Sequence, residues 1–161
     1  MKPGVFLFTA LLAILPISEL RGAIPYAIAN GLPWYYAMPL AMAVNAMAAP
    51  ICWIFLSTLH LLFMKLAEKP FFSWYKKFFS SFVERSRRKL HRNVEKWGWL
   101  GIAVFVAIPL PLTGVWTGTL GAWVLGLSKK RTMLAVILGV MCAGIIVTAL
   151  LEGSLVIFRF L

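Results

Sequence analysis

Glu19 and Arg21 stand two residues apart in the run Pro16-Ile-Ser-Glu-Leu-Arg-Gly-Ala-Ile-Pro25, deep inside apolar sequence. Val5–Leu15 before them carries no charge, and after them none appears until Lys65. A carboxylate and a guanidinium at membrane depth each cost a few kcal/mol, so such groups are paired, turned inward and tied to function. Arg21 has the planar fork that suits a phosphate or carboxylate. Glu19 can neutralise Arg21 in a resting site or carry a coupling proton, and Ser18 adds a hydroxyl. A second polar cluster, Thr113 and Thr117, lies in Pro109-Leu-Pro-Leu-Thr-Gly114 and the residues after it, and Asn45 interrupts another apolar stretch. The purely structural alternative is a static Glu19–Arg21 lock. There is no Ser/His/Asp set, no paired aspartates, no HExxH and no phosphate-binding glycine loop, so an enzyme is not expected. His60 falls one turn before Lys65 and reads as an interfacial residue; no metal and no cofactor are expected.

The elements that must hold these groups are broken helices. Pro16, Gly22 and Pro25 bracket the first charged pair; Pro109, Pro111, Gly114 and Gly118 punctuate the second cluster. Proline removes a donor and clashes with the preceding turn, so neither stretch should run through as a smooth helix. Block one, Val5–Asn30, thus becomes two short arms, each under the ~20 residues needed to cross a bilayer. Block three, Trp97–Leu127, has the same form, with arms Trp97–Ile108 and Val115–Leu127. Block two, Trp34–Met64, can span with tilt and should kink at Pro39 or Pro50. Block four, Thr132–Leu151, is a clean spanning segment. Gly114 with Gly118, and Gly139 with Ala143, are small residues four apart, suited to close helix packing.

Composition fixes the class. Hydrophobic residues make up 61% of the 161, and only 13% are charged; mean hydropathy is +0.87. That is an integral membrane protein of one compact domain. The +11 formal charge sits in loops beside apolar segments, which points to anionic lipid head groups and topology rather than nucleic acid. Cys52 and Cys142 are embedded in apolar sequence and read as small core residues. The N-terminal apolar run resembles a signal peptide, but the cleavage region would contain Glu19 and Arg21, so it should be retained.

Residues 65–96 differ in kind, with ten basic residues against three glutamates. Phe71, Tyr75, Phe78 and Phe82 repeat at helical spacing, with Lys76, Lys77 and Arg85 between them and Arg87 and Arg88 beyond. The pattern predicts an amphipathic helix lying in the interface, rings toward the acyl chains and bases toward phosphates.

Charge asymmetry orients the chain. If 65–96 and Lys129–Arg131 are cytoplasmic, block two runs from outside to inside, and block one enters and leaves from outside. Block three then enters and leaves from inside, and block four returns. The expectation is an all-α membrane protein with two opposed re-entrant hairpins, each followed by a transmembrane helix. Residues 1–66 and 97–161 form an inverted repeat joined by the connector 67–96. Six full crossings is the competing topology.

A short chain with PISELRGAIPYAIANG early and IPLPLTGVWTGTLGA in its second half resembles the family called putative small multidrug export proteins, itself similar to the DedA/VTT superfamily. The resemblance implies opposed re-entrant hairpins, a homo-oligomer (a dimer), and translocation of lipids or solutes. It carries the first-hairpin acid onto Glu19 and its basic partner onto Arg21. DedA proteins usually carry an arginine in the second hairpin, whereas Pro109–Gly118 has no charge. The leading expectation is a transporter or lipid translocase that moves an anionic lipid head group or small solute between the tips. A proton-coupled small multidrug or cation exporter is the second reading, and a non-transporting, membrane-shaping scaffold the third. The expected place is the plasma membrane of a prokaryote, multi-pass, with 65–96 cytoplasmic and membrane lipids as partners.

Overall fold

The computed structural model describes residues 3–66, 98–110 and 113–160. These form six helices and no strand: α1 (Pro3–Ile14), α2 (Glu19–Ala29), α3 (Trp34–Leu66), α4 (Trp99–Ala107), α5 (Val115–Val124) and α6 (Lys129–Phe160). The expected interfacial helix with Lys76, Lys77, Arg85, Arg87 and Arg88 lies outside the described residues, as does Pro111.

Among the described residues only α3 and α6 are long and apolar enough to cross a membrane. The other four have 12, 11, 9 and 10 residues. At about 1.5 Å per residue none exceeds roughly 18 Å, against a hydrocarbon core of about 30 Å. The order is therefore short, short, long, twice over. α3 is one continuous helix through Pro39 and Pro50.

The first turn follows from Pro16. Its ring nitrogen cannot donate to the Leu12 carbonyl, which would be its helical partner; the Ser18 hydroxyl donates to that oxygen instead. This break is shorter than the sequence suggests. Gly22 and Pro25 lie inside α2 and do not belong to the turn. Gly22 is needed there because a Cβ would stand 2.8 Å from the Ser18 Cβ. Pro25 is tolerated as prolines in membrane helices are, where surrounding protein takes up the carbonyl it frees. Gly118, likewise, lies within α5, where a Cβ would meet Val106 Cγ2 at 2.4 Å. It serves helix packing, not the break.

Both second arms end in the same cap. After α2, Leu32 N–H donates to Ala27 O (2.9 Å) and Gly31 N–H to Ile28 O (3.0 Å), with Gly31 at φ 85°. After α5, Leu127 N–H donates to Ala122 O (3.0 Å) and Gly126 N–H to Trp123 O (3.1 Å), with Gly126 at φ 75°. These are paired Schellman caps, whose left-handed residue is free of strain only as glycine. The displacement that carries Gly31 to Gly126 also carries Leu32 to Leu127, the start of α3 at Trp34 to that of α6 at Lys129, and Ser18 to Thr113. It carries Glu19 to Gly114, Arg21 to Trp116 and Asn45 to Val140 as well.

Small residues let the helices approach. Ala13, Ala23, Ala41, Ala48, Ala122 and Ala135 are buried in one core. On α6, a Cβ at Gly139 would lie 2.7 Å from the Ala103 carbonyl of α4, and one at Gly144 would strike Met42 of α3. The opposite face of α6, with Leu134, Ile137, Met141 and Ile145, is apolar and exposed, as a lipid-facing surface is. Cys142 belongs to that face and is exposed, correcting its expected place in the core: the inward stripe of α6 passes through Val140, Ala143 and Val147. Cys52 is buried.

Candidate functional site

The two turns meet, and the charged pair of the first is spent on the backbone of the second. Glu19 is 5% exposed and begins α2 with φ 45°. That left-handed backbone costs a non-glycine residue roughly 1–3 kcal/mol. Its carboxylate faces the N-terminus of α5: Val115 N–H donates to Oε2 at 3.3 Å and Trp116 N–H to Oε1 at 3.5 Å. The bonds are long, and the positive end of the helix dipole adds to them. Gly114 permits the approach, since a Cβ there would stand 1.9 Å from Glu19 Oε2.

Arg21 does the converse. Its Nη2 donates to Thr113 O at 3.0 Å and its Nη1 to Leu110 O, satisfying carbonyls that the break beyond α4 leaves without helical donors. The ion pair between the two side chains is looser, Nη2 to Oε2 at 4.0 Å. Trp116, which answers Arg21 in the second half, reaches back with Nε1 donating to Ile14 O at 2.9 Å, the last carbonyl of α1. Each half thus places an N–H side chain at the same position onto the carbonyls of the other half's break. Four helix ends converge here, and the Glu19 and Arg21 charges oppose the dipoles they touch.

The remaining expected residues divide. Asn45 (1% exposed) joins Glu19, Arg21 and Thr113 around a small cavity lined also by Val106 and Val140. Its volume is about 10 Å³, room for about one water molecule. Ligand sites of ordinary size enclose some 300–1,000 Å³, so the tips as they stand leave no room for a ligand of that size. The Thr113 hydroxyl staples its own turn, donating within reach of Ile108 O (2.6 Å) and Leu110 O (2.8 Å). Thr117 Oγ1 accepts the Gly114 N–H at 3.2 Å and so caps α5. Pro109 lines the cavity and Pro16 and Gly114 sit at the breaks. His60 rests edge-on to Trp123, ring centres 5.5 Å apart. Among the described residues no His, Cys, Asp and Glu group could hold a metal. Trp116 and the backbone of Leu110, Val115 and Thr113 were not foreseeable as partners, because backbone groups leave no mark in a sequence.

The family described as "Putative small multi-drug export protein" matches residues 19–146, a span that begins at Glu19, just past the first turn, and takes in the second. No curated protein and no solved structure matches the chain.

Proposed function

The chain belongs to the "Putative small multi-drug export protein" family, and from that membership we propose that it is a membrane transporter with its site between the two tips, which in this conformation leave no room for a ligand of ordinary size. The observation that carries the reading is the Glu19 carboxylate on the amides of Val115 and Trp116, with Arg21 at 4.0 Å. Backbone N–H groups at a helix N-terminus beside a guanidinium are anion-binding chemistry. Here the protein's own carboxylate fills it. An anionic solute or lipid head group would replace Glu19 at those amides as the tips part, and the displaced carboxylate would take a proton or turn to water. Lipid translocation is the form of this reading that the DedA resemblance favours.

The arms are too short to cross, which supports two re-entrant hairpins. The reciprocal contacts of Arg21 and Trp116 support their being related by inversion. The basic segments would then face the cytoplasm of a prokaryotic plasma membrane, with lipids and a second copy of the chain as partners. Transport without covalent chemistry is the expected activity.

The family description favours a second reading, proton-coupled export of cationic drugs, in which Glu19 leaves the amides to bind the cation. Reconstituted vesicles separate the two. Vesicles carrying wild type, Glu19→Gln or Arg21→Met are offered a carboxylate or phosphate-ester solute, a labelled anionic lipid, or a lipophilic cation. Uptake of the anionic class abolished by Arg21→Met supports the anion reading. Cation flux that needs Glu19 and survives Arg21→Met supports the exporter. Flux of neither class removes transport.

A further inference from the structure

Among the described residues Glu19 is the one non-glycine residue with a left-handed backbone, φ 45°, and the chain on both sides of it is bonded as a helix. Ser18 before it is right-handed, at φ −94° and ψ −48°. Leu15 N–H donates to Leu11 O (3.3 Å), Glu19 N–H to Leu15 O (3.1 Å) and Gly22 N–H to Ser18 O (3.0 Å). Each bond reaches four residues back, the α-helical pattern. Apart from Pro16, the torsion of one residue separates α1 from α2. The second break is built otherwise. Ile108 is extended, with ψ 116°, and so is Gly114, with φ 178°, so no single torsion divides α4 from α5.

Nothing local favours the left-handed state at Glu19. An L side chain there crowds its own backbone, and glycine is the residue that adopts it freely. What holds it lies elsewhere in the fold. Val115 N–H and Trp116 N–H donate to its carboxylate, and the two arms pack on each other, the Phe8 and Tyr26 ring centres 4.8 Å apart.

We propose that Glu19 is a backbone hinge for the first tip, latched left-handed by its carboxylate on α5 and returning to the right-handed helical region when that contact is lost. α2 then grows back through the turn and joins α1, with a kink at Pro16. The joined element runs from Pro3 to Ala29, about 40 Å at 1.5 Å per residue. That exceeds the ~30 Å hydrocarbon core, which neither arm spans alone. Phe8 and Tyr26 part to about 27 Å along its axis. Arm packing opposes the change and the torsion at Glu19 favours it, so the latch chooses between two arrangements of one segment. Helix-end residues that absorb a large φ change are the usual form of such a hinge. The inference concerns the tip itself and holds whether or not a solute passes between the tips.

The test measures a distance in the full chain in lipid bilayers, with Cys52 and Cys142 replaced by alanine. Spin labels go on Leu7→Cys and Asn30→Cys, both at exposed positions of the two arms, and double electron–electron resonance reads their separation. Folded-back arms give a short distance, and a joined helix gives about 35 Å. Glu19→Ala removes the latch and keeps the left-handed penalty, whereas Glu19→Gly removes both. The expected result is a long-distance population in Glu19→Ala roughly tenfold that in Glu19→Gly, the ratio that the left-handed penalty of an L residue implies. A tip that is merely loosened would show the same distances in both. A Glu19→Ala population no larger than that of Glu19→Gly, including none in either, overturns the hinge. Gly114→Ala keeps Glu19 and evicts its carboxylate, since the new Cβ would fall on Oε2, so it should show the long distance as well. A short distance alone in that variant overturns the carboxylate as the latch.

Discussion

Glu19 and Gly114 occupy equivalent places in the two halves and compete for the same space, a Cβ on Gly114 falling 1.9 Å from Glu19 Oε2. Gly114→Ala should therefore expel the carboxylate from α5. Hydrogen bonds to a charged group contribute about 1.5–3 kcal/mol, so a loss of that order in detergent melting is expected. Adding Glu19→Ala should recover part of it by removing the clash. No recovery would mean that the two positions do not contend.

Glu19→Gln and Arg21→Met should each destabilise the protein, and the double variant should stay destabilised. A pair that only neutralised each other would regain stability when both charges are removed. Here each side chain is held by other groups: without Arg21, Thr113 O loses its side-chain donor and Leu110 O is left to Thr113 alone, whatever stands at 19. Melting of the three variants decides it, and a double variant as stable as wild type would reduce the contacts to a simple lock.

Ile17 sits at the extreme of the first turn and is 92% exposed. In a re-entrant hairpin this position lies at membrane depth. Ile17→Cys, with Cys52 and Cys142 replaced, should resist an impermeant thiol reagent from both sides, while Asn30→Cys and Lys130→Cys label from opposite sides. Labelling of Ile17→Cys from the side opposite to Asn30→Cys would establish full crossings.

Gly139→Ala should be more damaging than Gly144→Ala. The first Cβ meets the Ala103 carbonyl and Val106 Cβ, which cannot move without their helix, whereas the second meets the flexible end of Met42. Overpacking costs about 1–3 kcal/mol, with Gly139→Ala at the upper end. Equal melting temperatures would contradict the packing described for α6.

Much of this was legible from residue types. The breaks were marked by Pro16 and Pro109, since proline acts locally, and the short arms and long helices follow from where apolar runs stop. Asn45 joined the site for the reason that polar groups in apolar helices turn inward. What escaped was mostly relational. Glu19 and Arg21 read as partners of each other because they are neighbours in sequence, yet their closer contacts are backbone groups of the other half. Gly22, Pro25 and Gly118 read as helix breakers by type, but all three lie inside helices, the two glycines where neighbours need close approach. Cys142 looked buried because every residue near it is apolar, and in a membrane protein apolar sequence covers the outside too.

The separation of the contacts has a consequence for biosynthesis. Arg21 finds its carbonyl at Leu110, 89 residues further on, and Glu19 its amide at Trp116, 97 further on. A ribosome adding about 5–20 residues per second needs roughly 5–20 s to deliver them. Throughout that interval a carboxylate and a guanidinium have only each other, at a few kcal/mol apiece if they enter lipid. If the first hairpin is re-entrant, its nascent form should stay at the head-group boundary until the second is made. A ribosome stalled soon after α3 should leave Glu19 open to water-borne reagents, and a chain cut there presents two bare charges by which quality-control proteases can know it.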